Sequence, residues 1–582
     1  MAIGSGDLIT RNYRDLLGVD FSNRKDEISL KHSPDALNVW RNYKNNKGIC
    51  IETRPDIELF LNMSNTIYGL FFYTINNVDH MIIHCGTSLY DYNPSTKELT
   101  TIKSEGMNPK NSVAVVCNNI FFILDGINYL EYDGQTLKEV EGTTPLIYIS
   151  NKPSGAGTQY NPVNLLTPSV QESYSADGTS TEYVLHFQNI DSVDSVVVDG
   201  VTKTVTTDYT VDLVNGKVNF VTAPSEPGTV GSDNVYITYS KTQTGYRNRI
   251  NKCTLMTIFN DNVFYSGNQD YPNYMFYCQY NNETGQPDPR YIPDTFYYRE
   301  GVETSKVKSM VAGNNSLWVF KEPGVQNTAI FYHTPAVETV GEVQQVVYPQ
   351  SHSSISTGCV SKAINFNDDI VFFSERGMEG LATTDVTTEQ LLAHRSTYID
   401  SKLLNETNYD KLLLAEWEGY LLVAIDNKMY IADSRKLSAI SNHNEYNWFY
   451  WEFDDNITYM TTKANDLYIC MNKAIYTLTK TDTTINSYWT TKDDEFDYPQ
   501  YRKTTNKKGC VVDITGDEVM VSVKTDNNDY EKINTYKNTK GYIVPKIKKK
   551  KWKSIQLKFS SNKPFSISEV IISSFIGSYV KR

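Results

Sequence analysis

Six lysines crowd one tryptophan near the end of this 582-residue chain: Lys546, Lys548, Lys549, Lys550 and Lys551 precede Trp552, and Lys553 follows it. Ammonium groups at this density, with an aromatic ring among them, attract phosphate oxygens. Nucleic-acid contact is therefore one chemistry the run permits. Arg502, Lys503, Lys507 and Lys508 add positive charge upstream. The same residues suit two other roles. Lysines protect an open strand edge from unwanted pairing, and a basic collar can pair with the acidic body of a neighbouring copy. The strand-edge reading is the preferred one, and the seven residues from Lys546 to Lys553 named above stand as the candidate interface or DNA contact.

Motifs for other chemistry are absent from the sequence. The chain has no His-Glu-x-x-His, no phosphate-binding Gly-x-x-x-x-Gly-Lys-Ser/Thr and no Gly-x-Ser-x-Gly elbow. His80 and His84 share one face if they lie on a strand, but Cys85 then points the other way and no third ligand completes a metal site. The segment SADGTS only approaches the Ser-x-Asp-x-Gly-x-Thr-Trp turns of propeller sialidases. No catalytic, cofactor-binding or metal-binding residue is assigned, no cofactor is expected, and the chain is expected not to be an enzyme.

The net charge of −13 does not suit a protein that grips nucleic acid over its whole surface. Tyrosine is over-used, at 42 copies against 23 Phe and 7 Trp. Tyrosine favours strands and contact surfaces, where the ring is buried and the hydroxyl stays wet. The eight cysteines are scattered without a Cys-x-x-Cys pair, so buried free thiols are expected rather than a disulfide framework or zinc knuckle. The first residues lack a signal-peptide apolar core, and no run approaches the roughly 18 apolar residues of a membrane span. The expectation is a soluble chain with no membrane span, not exported by the usual route.

The elements that must position the lysines are strands. The segment IFFILDGINYLEYDG, Ile120 to Gly134, is a hairpin pivoting on Asp125-Gly126, and related hairpins recur. They pivot at Asn76, Asn118, Asn260, Asn314, Asn367, Glu418 and Asn465; from Asn260 onward the separations are 54, 53, 51 and 47 residues, and the first two pivots are 42 apart. Periods of roughly 40 to 50 residues with several short strands each belong to β-propeller blades. The gap from Asn118 to Asn260 holds different text. Small β-branched and polar residues alternate there around Asp199-Gly200 and Asn215-Gly216, the strongest short hairpin signal. The expected fold is thus all-β: a β-propeller with an inserted small β-sandwich and a C-terminal β segment. Its expected parts are an N-terminal arm with first strands (1–60), blades (61–159), the inserted sandwich (160–245), further blades (246–485) and a C-terminal segment closing the propeller (486–582).

Both ends of the chain carry a family likeness. The start has Gly18-Val19-Asp20-Phe21, then Ser33-Pro34-Asp35-Ala36-Leu37-Asn38, then Glu52-Thr53-Arg54-Pro55. The finish, KKKKWKSIQLKFSSNKPFSISEVIISS, sets basic residues before a strand, a Ser/Pro turn and a last strand, and the middle has STYIDSKLLNETNYDKLLLAEWEGYLLVAI. These segments resemble the tail nozzle, or packaged-DNA stabilisation, proteins of short-tailed bacteriophages. The likeness spans both ends and the propeller but not the inserted sandwich. It implies a structural virion protein, assembled in the host cytoplasm and located in the tail. Its copies would form a ring, probably of six, below the portal and adaptor proteins and above a tail fibre or plug. The ring would continue the channel for transient passage of double-stranded DNA, retaining and then releasing the packaged genome. The alternative is a propeller tail protein that binds or degrades glycans, which clustered Asp/Glu and Trp at one propeller mouth would support. A cytosolic propeller scaffold is a further rival.

Overall fold

The computed structural model describes residues 6–44, 50–281, 285–324, 328–340, 343–383, 390–435, 445–479 and 484–579. The protein is all-β. Among the described residues the helices are single turns, at Asn248–Asn251, Asp400–Leu403 and Tyr409–Lys411. The chain divides into two compact units, one of residues 71–356 and one of 1–70 with 357–582.

Seven sheets of propeller-blade type run through the described residues. Four are antiparallel meanders whose first strands are Ile67–Ile75, Val113–Cys117, Leu255–Phe259 and Val307–Gly313. The other three begin at Ala363–Phe366, Leu413–Trp417 and Ile457–Lys463. Within the 71–356 unit the first strands at 113, 255 and 307 lie side by side, and within the other unit those at 363, 413 and 457 do the same. That is how blades radiate from an axis, and the architecture is propeller-like. The second strands explain the apolar runs seen in the sequence. Asn262–Ser266, Ser316–Lys321 and Tyr420–Ile425 are buried at every position, so both faces are covered and strict alternation is lost.

The hairpin pivots are two-residue turns, which match the twist of the flanking strands when both central residues take positive φ. Asn76-Asn77, Asn118-Asn119, Asn260-Asp261, Asn314-Asn315 and Asn367-Asp368 all do, with φ between 49° and 64°. Asparagine and aspartate tolerate this region because their short polar side chains bond locally.

The last blade is closed from the other end of the chain. Asp56–Asn62 pairs antiparallel with Ala474–Thr479 as the fourth strand. This corrects the expectation that the C-terminal segment closes the propeller. Residues 487–579 instead build a nine-stranded sheet with N-terminal strands: Leu8–Arg14 and Ile51–Thr53 both pair with Phe565–Tyr579, and Ala36–Leu37 pairs with Ser487–Thr490. The two ends of the sheet's strand order, Ala36–Leu37 and Val39–Arg41, flank Asn38, whose φ is +54°, so the sheet nearly closes on itself.

Several N-terminal motif residues are the pins of this region. Asn38 donates to the Asn486 carbonyl at 2.9 Å and accepts from Arg54 Nε at 3.1 Å and the Glu452 amide at 2.9 Å. Asp20 accepts the Asn23 amide at 3.0 Å. A Cβ at Gly18 would collide with the Trp448 carbonyl, so only glycine permits this backbone approach.

The inserted module is two sheets around a core that includes Tyr174, Val196, Val218 and Tyr239. The larger begins at Leu146–Asn151, ahead of the expected boundary at 160, because that strand pairs in parallel with Ser169–Tyr174. Parallel pairing across a long connection leaves no hairpin signature. All eight cysteines are free and buried, and no helix among the described residues is long and apolar enough to cross a membrane.

Candidate interface site on the terminal sheet

The lysine run belongs to a strap, residues 544–554, that joins two strands of the nine-stranded sheet. The spine of the site is Tyr501–Thr525, a 25-residue strand that pairs with Glu531–Ile543, Ile555–Ser561 and Phe565–Tyr579. The strap is not a regular strand, so its backbone groups need other partners. Thr505 supplies them: its amide donates to the Lys549 carbonyl at 3.0 Å and its hydroxyl to the Ile547 carbonyl at 2.9 Å. Further along, the Lys503 amide donates to the Trp552 carbonyl at 2.8 Å and the Trp552 amide to the Lys503 carbonyl at 3.1 Å.

Side chains sort strictly by depth. Ile547 and Trp552 are each 1 % exposed, and Trp552 packs edge-on against Phe496 at 5.5 Å. The strap is thereby anchored at two apolar points. Trp552 is one of the seven candidate contact residues, and the structure places it in the core rather than beside the lysines at the surface. Lys546, Lys548, Lys550, Lys551 and Lys553 are exposed. Lys553 pairs with Glu495 at 2.9 Å and Lys549 with Glu531. Lys546, Lys548, Lys550 and Lys551 have no acidic partner among the described residues.

Lys503 differs from these. It is fully buried, with Nζ donating at 2.8 Å to the carbonyls of Tyr498 and Lys553. Burial outweighs nearby carboxylates and draws its ammonium down to about 8. It therefore serves the strap as a structural donor and not as surface charge.

The basic surface extends beyond the run. Among the described residues Glu531–Ile543 is an edge strand that pairs only with Tyr501–Thr525, and its Lys532, Lys537 and Lys540 are exposed. From Lys532 to Ser568 there are 11 lysines and no acid, so the rest of the chain carries −24 against −13 for the whole. That acid-free stretch was countable in the sequence, and it would have added the three edge-strand lysines to the candidate set. A groove of about 560 Å³ lies between edge strand and strap, walled by Ile533, Tyr536, Ile547 and Lys548. Chemically the site offers hydrated point charges and unpaired strand backbone. It can bind carboxylates or phosphates or accept an added strand, and it holds no nucleophile–base pair.

The two histidines of the sequence reading have structural roles. His80 Nδ1 lies 2.7 Å from Asp91, which also accepts the Tyr132 hydroxyl at 2.9 Å, while His84 meets Ser112 at 3.0 Å. Among the described residues no group of three His, Cys, Asp or Glu is placed to hold a metal ion.

No protein-family model matches the chain, and no curated protein matches it. Among solved structures, the extracellular domain of a putative hybrid two-component system from B. thetaiotaomicron aligns over 87 % of this chain and 77 % of its own, at 10 % identity and a TM-score of 0.25. BBS1N in complex with ARL6DN aligns over 74 % and 99 % at 7 % identity and a TM-score of 0.25. Trypanosoma rangeli sialidase in complex with 2,3-difluorosialic acid aligns over 56 % and 91 % at 8 % identity and a TM-score of 0.21. Likenesses this distant carry no argument, and the propeller-like description rests on the sheet topology.

Proposed function

We propose that this chain is a structural subunit of the tail nozzle of a short-tailed bacteriophage, one copy in a closed ring around the DNA channel. The observation that carries the reading is the segregation of charge. Eleven lysines without an acid sit on a free edge strand, its strap and the strand and turn beyond, in a chain otherwise at −24. A surface divided in this way is complementary to another copy of itself in a head-to-tail arrangement, and head-to-tail contacts close into rings. The N-terminal motif residues Gly18, Asn38 and Arg54, which carry the family resemblance, support it as pins of the same terminal architecture. In this reading the strap meets a neighbour's carboxylates and the genome slides past a predominantly acidic wall without binding. Portal and adaptor proteins would lie above the ring and a fibre or plug below.

The test is a reconstruction of the phage tail with this chain located by an antibody. A ring of copies on the tail axis below the portal is the expected result. One copy, or a position off the axis, overturns the proposal. A companion measurement separates neighbour from genome. The triple variant Lys548→Gln, Lys549→Gln, Lys550→Gln is expected to weaken assembly while leaving DNA interaction unchanged. Salt-sensitive DNA binding by the natural chain that the variant lacks would assign the strap to DNA instead.

A further inference from the structure

Among the described residues the strand Glu531–Ile543 is paired on one side only, and two irregularities restrict what can pair on the other. Ile533 is an extra residue, because the ladder steps from Val521 opposite Asn534 to Ser522 opposite Lys532. Asn538 has φ +49°. The regular run between them is Asn534–Lys537, with exposed lysines at 532 and 537. Bulges and lysines keep an open edge from pairing with its like. They do not exclude a short strand of opposite charge, so this edge selects its partner. The groove of about 560 Å³ lies beside the same run, with Ile533, Tyr536 and Ile547 as its apolar wall and Lys546 and Lys548 among its lining.

A second element of the chain lacks a partner and has the opposite character. Ala336–Val340 and Val343–Val347 pair antiparallel with each other and with no other strand among the described residues. A two-stranded sheet alone is marginal in water and gains from a third strand. The chain's other two-stranded sheet, Gln279–Asn281 with Gln286–Asp288, is fastened where the Pro287 carbonyl accepts Asn118 Nδ2 at 2.8 Å. Among the described residues no hydrogen bond fastens the 336–347 pair in that way. Val337 is 67 % exposed and Glu338 is exposed beside it. The surrounding sequence mirrors the lysine stretch: residues 322–361 carry three glutamates and neither lysine nor arginine.

We infer that strand Ala336–Val340 of one copy adds to the edge strand of the next copy, along Asn534–Lys537 and in the groove beside it. This rests on the reading of the terminal sheet as a copy-to-copy interface and names the segment that the neighbour contributes. An added strand lies about 4.8 Å from the edge and its side chains alternate, so Val337 meets the apolar wall while Glu338 faces the lysines. Backbone hydrogen bonds supply the affinity and the alternate side chains the selectivity. Two lysine-bearing edges repel each other, as do two glutamate-bearing strands. Pairing therefore joins different surfaces of the two copies, the head-to-tail arrangement that closes into rings.

Crosslinking between two variants of the full chain tests it. The natural cysteines are buried, so a short bis-maleimide reports on introduced thiols. Copies carrying Val337→Cys, mixed at low salt with copies carrying Asn534→Cys, are expected to give a crosslinked dimer. Its yield should exceed several-fold that of a control mixture of Val230→Cys with Asn534→Cys, Val230 being fully exposed in the inserted module. Charge reversal supplies a second measurement. Glu338→Lys alone and Lys537→Glu alone should each weaken self-association about five-fold, and an equal mixture of the two variants should restore it. All these positions are exposed, so the variants keep the thermal midpoint of the natural chain. A dimer yield no higher than the control overturns the inference, as does a mixture that fails to restore association. An axial ring in the tail without this crosslink would remove the strand addition and leave the nozzle reading; the crosslink in a chain absent from the tail axis would do the reverse.

Discussion

The blade-type sheets and the nine-stranded terminal sheet are built on opposite plans. A blade such as Val113–Cys117 through Leu137–Glu139 uses four consecutive strands joined by short turns. The terminal sheet instead sets Leu8–Arg14 beside Phe565–Tyr579 and Ala36–Leu37 beside Ser487–Thr490. The first kind of sheet is specified by neighbours in sequence; the second must wait for the ends to meet, at a greater loop-closure cost. The candidate interface lies on the second kind. Its edge strand and strap are held by Tyr501–Thr525, the long strand that also pairs with Phe565–Tyr579.

The largest expected effect tests whether that terminal sheet is one cooperative core. Trp489 is 1 % exposed, on the strand between Ala36–Leu37 and Ile555–Ser561. Trp489→Ala is expected to cost about 3–5 kcal/mol, read from urea unfolding. A cost under about 1 kcal/mol would mean that the sheet repacks around the loss and that its two-ended construction is not what stabilises it.

The two regions should also respond oppositely to alkali. On a blade strand, burial disfavours the charged form of His394. Hydrogen bonds to Asp400 at 2.7 Å and Glu379 at 3.1 Å outweigh it and raise the imidazole to about 9. The folded state then holds a proton that the unfolded chain, near its ordinary value of roughly 6.5, releases. This stabilisation is full below that value and is lost as pH rises through about 9. Lys503 in the terminal sheet is the reverse. Burial lowers it to about 8, so the unfolded chain holds the proton more tightly and stability rises from there toward the ordinary lysine range. His394→Gln should remove the alkaline loss, on the order of 1–2 kcal/mol after solvent screening, in unfolding curves taken from pH 6 to 9. An unchanged pH slope would show that the carboxylates do not hold the imidazolium.

Turn substitutions sharpen the contrast within the blades. Asn314→Ala puts a residue without a local hydrogen-bonding side chain at φ +52° and should cost about 1 kcal/mol. Glu418→Asn should do the opposite, stabilising by a similar or smaller amount, if the glutamate is held there for its carboxylate and not for the turn. Thermal midpoints of the two variants moving in the same direction would refute the idea that Glu418 departs from the rule at a cost.

These residues also show what was legible in the sequence. The blade hairpins could be read because asparagine marks a left-handed turn between apolar runs, a signal confined to about a dozen residues. The strands at Gly18–Val19 and His32–Ser33 are two residues long and carry no period, so the first's place beside Asn447–Glu452 and the second's beside the first were invisible. The start of the inserted module at Leu146 was hidden for a related reason, since its partner is parallel. The lysine run was visible as charge, but not the depth of Trp552, because the anchor Phe496 lies far off in the chain. The stacking of Trp40 on Trp417 joins residues far apart in the chain and was equally invisible.

The smallest expected effect is on folding, and its smallness is what makes the strap a usable probe. Lys548 and Lys550 are exposed and have no acidic partner among the described residues, and Lys549 pairs with Glu531, itself 63 % exposed. Exposed pairs of this kind contribute little, because solvent screens them and two long side chains must be ordered. The strap is held by Ile547, Trp552 and the Thr505 hydrogen bonds, none of which the triple Lys→Gln variant touches. Its unfolding free energy should therefore stay within about 0.5 kcal/mol of the natural chain. Self-association at low salt, measured by analytical ultracentrifugation, should fall, and the natural chain should lose the same association as salt rises. A variant that associates normally while its stability drops by more than about 1 kcal/mol would reverse the assignment. It would make the lysines part of the sheet's own architecture, leaving the edge strand Glu531–Ile543 as the only open element of the site.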